Sequence, residues 1–209
     1  MNLPNILTVS RLILAVIYFI ILWFADNKDY ITIRTTLLDI ALGLFIAAVI
    51  TDMLDGYLAR RLNLVTNFGR IADPFVDKVI ACGSFVFFLG WETFKQFLTP
   101  WMVVVILGRE FLVSGLRSFA ESHHTPFGSS VFGQNKMLIQ SVTIIWAIFY
   151  AAHLQNEPPL WTVVALQSLI YVTLISTVIS GFIYLYQGWH LFKTSLSQSA
   201  SDEETNIPK

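Results

Sequence analysis

Asp52-Met53-Leu54-Asp55-Gly56-Tyr57-Leu58-Ala59-Arg60, followed by Gly69-Arg70-Ile71-Ala72-Asp73-Pro74-Phe75-Val76-Asp77, is the stretch on which the reading of this chain turns. Asp52 and Asp55 are three residues apart, and Asp73 and Asp77 four, so on helices each pair shares a face. Apolar runs border both pairs, Ile40 to Ile50 before them and Val79 to Leu89 after. Carboxylates at the edge of a hydrocarbon layer are costly and mark an ion or substrate site. The stretch therefore predicts two consecutive membrane helices that bring four acids to one side of the bilayer.

Composition agrees. Of the 209 residues 55% are hydrophobic and 13% charged, and the mean hydropathy is +0.64. A soluble domain carries about 45–50% apolar and about 25% charged residues. An all-α integral membrane protein is expected. The net charge of −1 supplies no global field for nucleic acid, which is excluded as a partner. The single cysteine, Cys82, rules out an intramolecular disulfide framework and reads as a small buried apolar residue. The segment from Met1 to Ser10 holds no Lys or Arg, and no small-x-small cleavage site follows the apolar run Leu12 to Phe24. That run is expected to be a retained helix, with a short interfacial helix possible before it.

Six transmembrane helices are expected, at roughly 6–25, 36–58, 72–91, 98–120, 133–153 and 160–187. Together they are expected to make one transmembrane domain over 1–193 with a cytoplasm-facing polar cavity, followed by a polar, disordered tail over 194–209. With both termini on one side, the opposite side receives only Lys28, Arg34 and Lys95 of the 13 basic residues. The crowded side is then cytoplasmic, and the four aspartates lie near it. The lack of an Arg-rich transit segment points to a bacterial inner membrane. Trp91, Trp101 and Trp161, near expected span ends, suit an interfacial aromatic belt.

A hard divalent cation is the simplest partner for Asp52, Asp55, Asp73 and Asp77 together, because it takes oxygen ligands and supplies the opposite charge. Gly56 and Ala59 put a small-residue patch beside the first pair, where a flat ligand can approach closely. Gly69 repeats the arrangement one turn before Asp73. Other readings are acids that snorkel or pair with Arg60, Arg61 and Arg70, a cation transporter, or a membrane scaffold. The scaffold leaves the clustering of four acids unexplained.

The pattern D-x2-D-G-x2-A-R-x8-G-x3-D-x3-D, complete from Asp52 to Asp77, resembles the signature of the CDP-alcohol phosphatidyltransferases. That resemblance implies a six-helix membrane enzyme with a cytoplasmic site for two Mg²⁺ or Mn²⁺ ions, and a homodimer. It implies that Asp52, Asp55 and Asp73 ligate metal and that Asp77 joins a second metal position. Asp77 would also be the general base, and so the catalytic residue, towards the acceptor hydroxyl. CDP binding would fall to Asp52, Asp55, Gly56, Ala59, Arg60 and Gly69, with Arg60 near the diphosphate. The chemistry is coherent: the leaving diphosphate needs charge neutralisation, and the attacking alcohol must lose a proton.

A second set of residues lies in Gly108-Arg109-Glu110-Phe111-Leu112-Val113-Ser114-Gly115-Leu116-Arg117 and Gly133-Gln134-Asn135-Lys136-Met137-Leu138-Ile139-Gln140. Arg109, Arg117 and Lys136 are candidates for an anion pocket suited to a phosphorylated acceptor. Alternatively Arg109 pairs with Glu110, and Arg117 and Lys136 are ordinary positive-inside anchors. The R-E-x3-S-x-L-R segment, the G-x2-K-x3-Q segment and the opening Leu3-Pro4-Asn5-Ile6-Leu7-Thr8-Val9-Ser10-Arg11 resemble the phosphatidylglycerophosphate synthase branch of the family. That branch joins CDP-diacylglycerol to sn-glycerol 3-phosphate and releases CMP. The usual G-K-x-K-T is altered here, with Gln134 for the first Lys and Met137 for the Thr, while Lys136 is retained. Inositol phosphate and phosphatidylglycerol are the alternative acceptors. Adjacent His123 and His124 would diverge by about 100° on a helix, a poor geometry for shared metal ligation. Asp39 is expected towards the outer end of the second span.

Overall fold

Punctuation in the sequence sets the helix boundaries. The computed structural model describes the backbone of residues 3–62, 67–122 and 131–205, and the side chains of 9–27, 30, 32–52, 75–76, 78–120 and 135–189. Six long helices fill these segments: α1 (Leu3–Asp26), α2 (Arg34–Leu62), α3 (Asn67–Gly90), α4 (Pro100–Ser122), α5 (Val131–His153) and α6 (Leu160–Thr205). No strand occurs among the described residues. Pro100 opens α4, where its missing N–H has no helical partner to lose, and Gly90 closes α3. Pro158-Pro159 precedes α6, and the Thr162 hydroxyl donates to the Pro159 carbonyl at 2.7 Å.

Four helices carry a stretch long and apolar enough to cross a membrane: Val9–Asp26, Arg34–Asp52, Asn135–His153 and Leu160–Trp189. The chain is a membrane protein by this measure. α3 contributes a shorter apolar stretch, Lys78–Gly90. In α4 the apolar run is interrupted by Arg109, Glu110 and Arg117. At the far end, α6 runs to Thr205. Neither Gly nor Pro occurs between Gly188 and Pro208, so nothing local stops the helix. At 46 residues α6 is about 69 Å long, more than twice the hydrocarbon thickness of about 30 Å.

α1 packs on α2 and α3, α2 on α5, α5 on α6, and α4 on α6 and α3. At the end remote from Asp52 the seal is aromatic. Phe88, Trp91 and Phe94 are buried with ring centroids 4.8–5.8 Å apart. Arg34 lays its guanidinium 5.6 Å from the Trp91 ring and donates to Thr93 at 3.3 Å; the Thr93 hydroxyl donates to Gln155 at 2.9 Å. This ties the start of α2 and both inter-helix turns together. Asp39 lies at the same end, hydrogen-bonded to His153 at 2.8 Å. Two glycines permit close helix approach. A Cβ at Gly83 would lie 2.4 Å from the Phe19 ring, and one at Gly188 would lie 2.8 Å from Leu116.

Candidate functional site

The site end of the bundle holds the C-terminal half of α2 and the N-terminal half of α3. Asp52, half-buried on α2, accepts a hydrogen bond from Arg11 Nη1 of α1 at 2.7 Å. Arg11 is 1% exposed, so this is an ion pair inside the protein and not a surface contact. Breaking such a pair is expensive because it strands a charge away from water. Arg11 closes the opening segment Leu3 to Arg11 that resembles the family, but its partner Asp52 could not be read from the sequence.

Asp55 follows one turn later on α2, and Asp73 and Asp77 stand on α3. Their side chains, and the surroundings of Gly56, Ala59, Arg60 and Gly69, lie outside the described side chains. Among the described residues no group of three or more His, Cys, Asp or Glu gathers as a metal site. The donor set nevertheless suits a hard divalent ion: four carboxylates, borne by two helices that both pack on α1.

A second polar cluster joins α3, α4, α5 and α6. Its centre is the buried carboxylate of Glu110 on α4. Lys136 of α5 donates to Glu110 Oε1, and Arg109 Nη1 donates to the same oxygen at 3.0 Å. Arg109 also donates through Nε to Ser180 Oγ of α6 at 3.0 Å, and its guanidinium lies 5.3 Å from the Tyr184 ring. Lys78 of α3 donates to Ser114 Oγ, which in turn donates to the Glu110 carbonyl at 2.6 Å. One carboxylate thus faces two directly bonded cations, with a third attached through Ser114. The excess positive charge, held in a low-dielectric interior, makes the cluster receptive to an anion.

The structure brings together Arg109 and Lys136 of the three expected anion ligands. Arg117, two turns beyond Glu110 on α4, joins no ion pair among the described residues, though it lies within electrostatic range of Lys78. The pairing of Arg109 with Glu110, weighed as an alternative to anion binding, is present. It does not exhaust the charge, because Lys136 shares the same carboxylate oxygen. Lys78, Ser180 and Tyr184 carry no site assignment from the sequence, and Ser114 enters there only as the Ser of the R-E-x3-S-x-L-R segment. Lys78 had a signal in its place directly after Asp77; the α6 residues had none.

Comparison with known proteins extends these observations. The family model of the CDP-alcohol phosphatidyltransferases matches residues 1–185. A CDP-diacylglycerol–glycerol-3-phosphate 3-phosphatidyltransferase of Bacillus subtilis is 33% identical over 200 residues, covering 93% of this chain and 98% of that protein. One from Rickettsia bellii is 31% identical over 183 residues, 88% of this chain and 93% of its own. A chloroplastic/mitochondrial protein of the same description from Arabidopsis thaliana is 29% identical over 195 residues, 90% of this chain and 63% of its own. With a match from the first residue to well inside α6, spanning both the acidic stretch and the Glu110 cluster, this chain belongs to the CDP-alcohol phosphatidyltransferase family.

Proposed function

We propose that the chain transfers the phosphatidyl group of CDP-diacylglycerol to sn-glycerol 3-phosphate, forming phosphatidylglycerophosphate and CMP in phospholipid biosynthesis. The observation that carries this is the end-to-end likeness to relatives described by that reaction, over 93% of this chain in one case. The Glu110 cluster supports the same acceptor, since a buried excess of cations suits a phosphate better than an uncharged alcohol.

In this reading, the acceptor's free primary hydroxyl attacks the phosphorus that bears diacylglycerol. The bond from that phosphorus to the oxygen shared with the cytidine monophosphate breaks, and CMP leaves with the electron pair. Asp77 takes the hydroxyl proton. Asp52, Asp55, Asp73 and Asp77 would hold two Mg²⁺ or Mn²⁺ ions, whose positive charge would offset the negative charge of the diphosphate. Gly56, Ala59, Arg60 and Gly69 shape the CDP site beside Asp52 and Asp55. Arg11 orients Asp52 from α1. Arg109 and Lys136, with Arg117 nearer the helix end, receive the acceptor phosphate. The domain over 1–193 crosses the membrane six times as a homodimer in a bacterial inner membrane. Both termini, the tail and the site face the cytoplasm.

The test is CMP release from CDP-diacylglycerol by purified protein with Mg²⁺, offering glycerol 3-phosphate, inositol phosphate or phosphatidylglycerol. Turnover with glycerol 3-phosphate, abolished by EDTA, is expected. Release only with another acceptor would move the protein within the family, and no release with any alcohol would favour a cation-transport role for the acids. Asp77→Asn is expected to lower kcat by about 10²–10⁴-fold with binding of CDP-diacylglycerol retained. Full turnover in that variant would remove Asp77 from the base role.

A further inference from the structure

Gln140 is 3% exposed, yet its Nε2 amide group has no hydrogen-bond partner. A buried donor left unmade costs about 1–3 kcal/mol, so such a group points to an occupant that the protein alone does not supply. Its setting narrows the occupant. Lys136, Gln140 and Thr143 follow one another at spacings of four and three and share a face of α5. Lys136 is bonded to Glu110. Thr143 donates to the Ile139 carbonyl at 2.9 Å and meets the Thr173 hydroxyl at 2.7 Å. Between these two partnered groups, Gln140 lies about 6 Å along the helix from Lys136. It is also a polar residue of the Gly133-x2-Lys136-x3-Gln140 segment to which the phosphate pocket assigns no task.

We infer that Gln140 sets acceptor specificity, bonding through its side-chain amide to the C2 hydroxyl of the glycerol phosphate whose phosphate lies on Arg109 and Lys136. The inference rests on the transfer reaction proposed above. A hydroxyl suits the position better than a second phosphate oxygen because it both donates and accepts. The two ends of a glutamine amide are distinguished only by their partners, and a hydroxyl satisfies either orientation. The separation of one helical turn from Lys136 also matches a small acceptor that carries its phosphate and its secondary hydroxyl on neighbouring carbons. An acceptor lacking that hydroxyl would leave the amide buried and unpaired, which is the most effective way for a site to reject an analogue.

The experiment compares glycerol 3-phosphate with 3-hydroxypropyl phosphate, which keeps the phosphate and the attacking primary hydroxyl and lacks only the C2 hydroxyl. Wild-type protein is expected to favour glycerol 3-phosphate in kcat/KM by about 10- to 100-fold. In Gln140→Met, similar in length but without polar ends, that ratio is expected to fall to near unity. Because no protein partner is lost, the thermal midpoint of the substrate-free variant is expected to hold or rise. A wild-type ratio near unity overturns the inference without recourse to any variant. So does a ratio unchanged in Gln140→Met, which would assign the site to water. A variant with a lowered midpoint and both acceptors impaired alike would make Gln140 structural and equally overturn it. If wild-type protein releases no CMP with glycerol 3-phosphate, the failure belongs to the proposed reaction and not to Gln140.

Discussion

Glu110 shows how much one side chain decides at the residue scale. Its oxygen receives both Lys136 and Arg109, whose side chains are 4% and 9% exposed. Removing one member of a buried ionic group usually costs about 3–5 kcal/mol, since the remaining charges keep their desolvation penalty and lose their partner. Glu110→Gln is therefore expected to lower the thermal midpoint in detergent. Added inorganic phosphate should restore more of that stability in the variant than in wild type, because an anion that binds only the folded state stabilises it and here replaces the missing carboxylate. Equal phosphate effects on the two proteins would show that the cluster does not bind anions. Asp52 and Arg11 make the parallel case on α1 and α2: the acid was legible from spacing, its buried cation was not.

Among the elements, the helices pack by small residues and by shared polar groups. α3 approaches α1 where Gly83 faces Phe19, whose ring stacks on Phe87 at 5.3 Å, and Tyr18 and Ser84 hydrogen-bond at 2.8 Å beside it. Gly83→Leu would force that ring from its place and is expected to destabilise the protein by about 1–3 kcal/mol, read as a lowered thermal midpoint. A midpoint at or above wild type would mean that the α1–α3 seam is slack. α5 and α6 are joined by the Thr143–Thr173 hydroxyl pair, an arrangement suited to lipid, where apolar burial gives helices little reason to prefer one another. Six helices were readable because apolar runs, Pro100, Gly90 and Pro158-Pro159 mark their limits. α6 continues to Thr205 through a segment that holds neither Gly nor Pro.

For the whole molecule the main prediction is orientation. Ser195→Cys, in the polar C-terminal segment, is expected to react with a membrane-impermeant maleimide in inside-out vesicles and not in right-side-out ones. The native Cys82 is buried and offers little background. Labelling from the outside would reverse the topology and place the acids on the wrong face for a cytoplasmic nucleotide.

Membrane class, helix order and the acidic stretch with its family signature were all legible along the chain. These depend on composition and on spacing along single helices, which a linear chain displays directly. Tertiary packing alone set which groups each cation meets: Arg11 the Asp52 carboxylate across 41 positions, Lys136 the Glu110 carboxylate across 26, and Arg109 the Ser180 hydroxyl across 71. It also left Arg117 out of the ion pairs around Glu110 and exposed Gln140 as a buried donor without a partner. The physical reason is that pairing between helices depends on their rotation and depth against one another. Those are set by close contacts such as Gly83 on Phe19, to which no periodicity along the chain points.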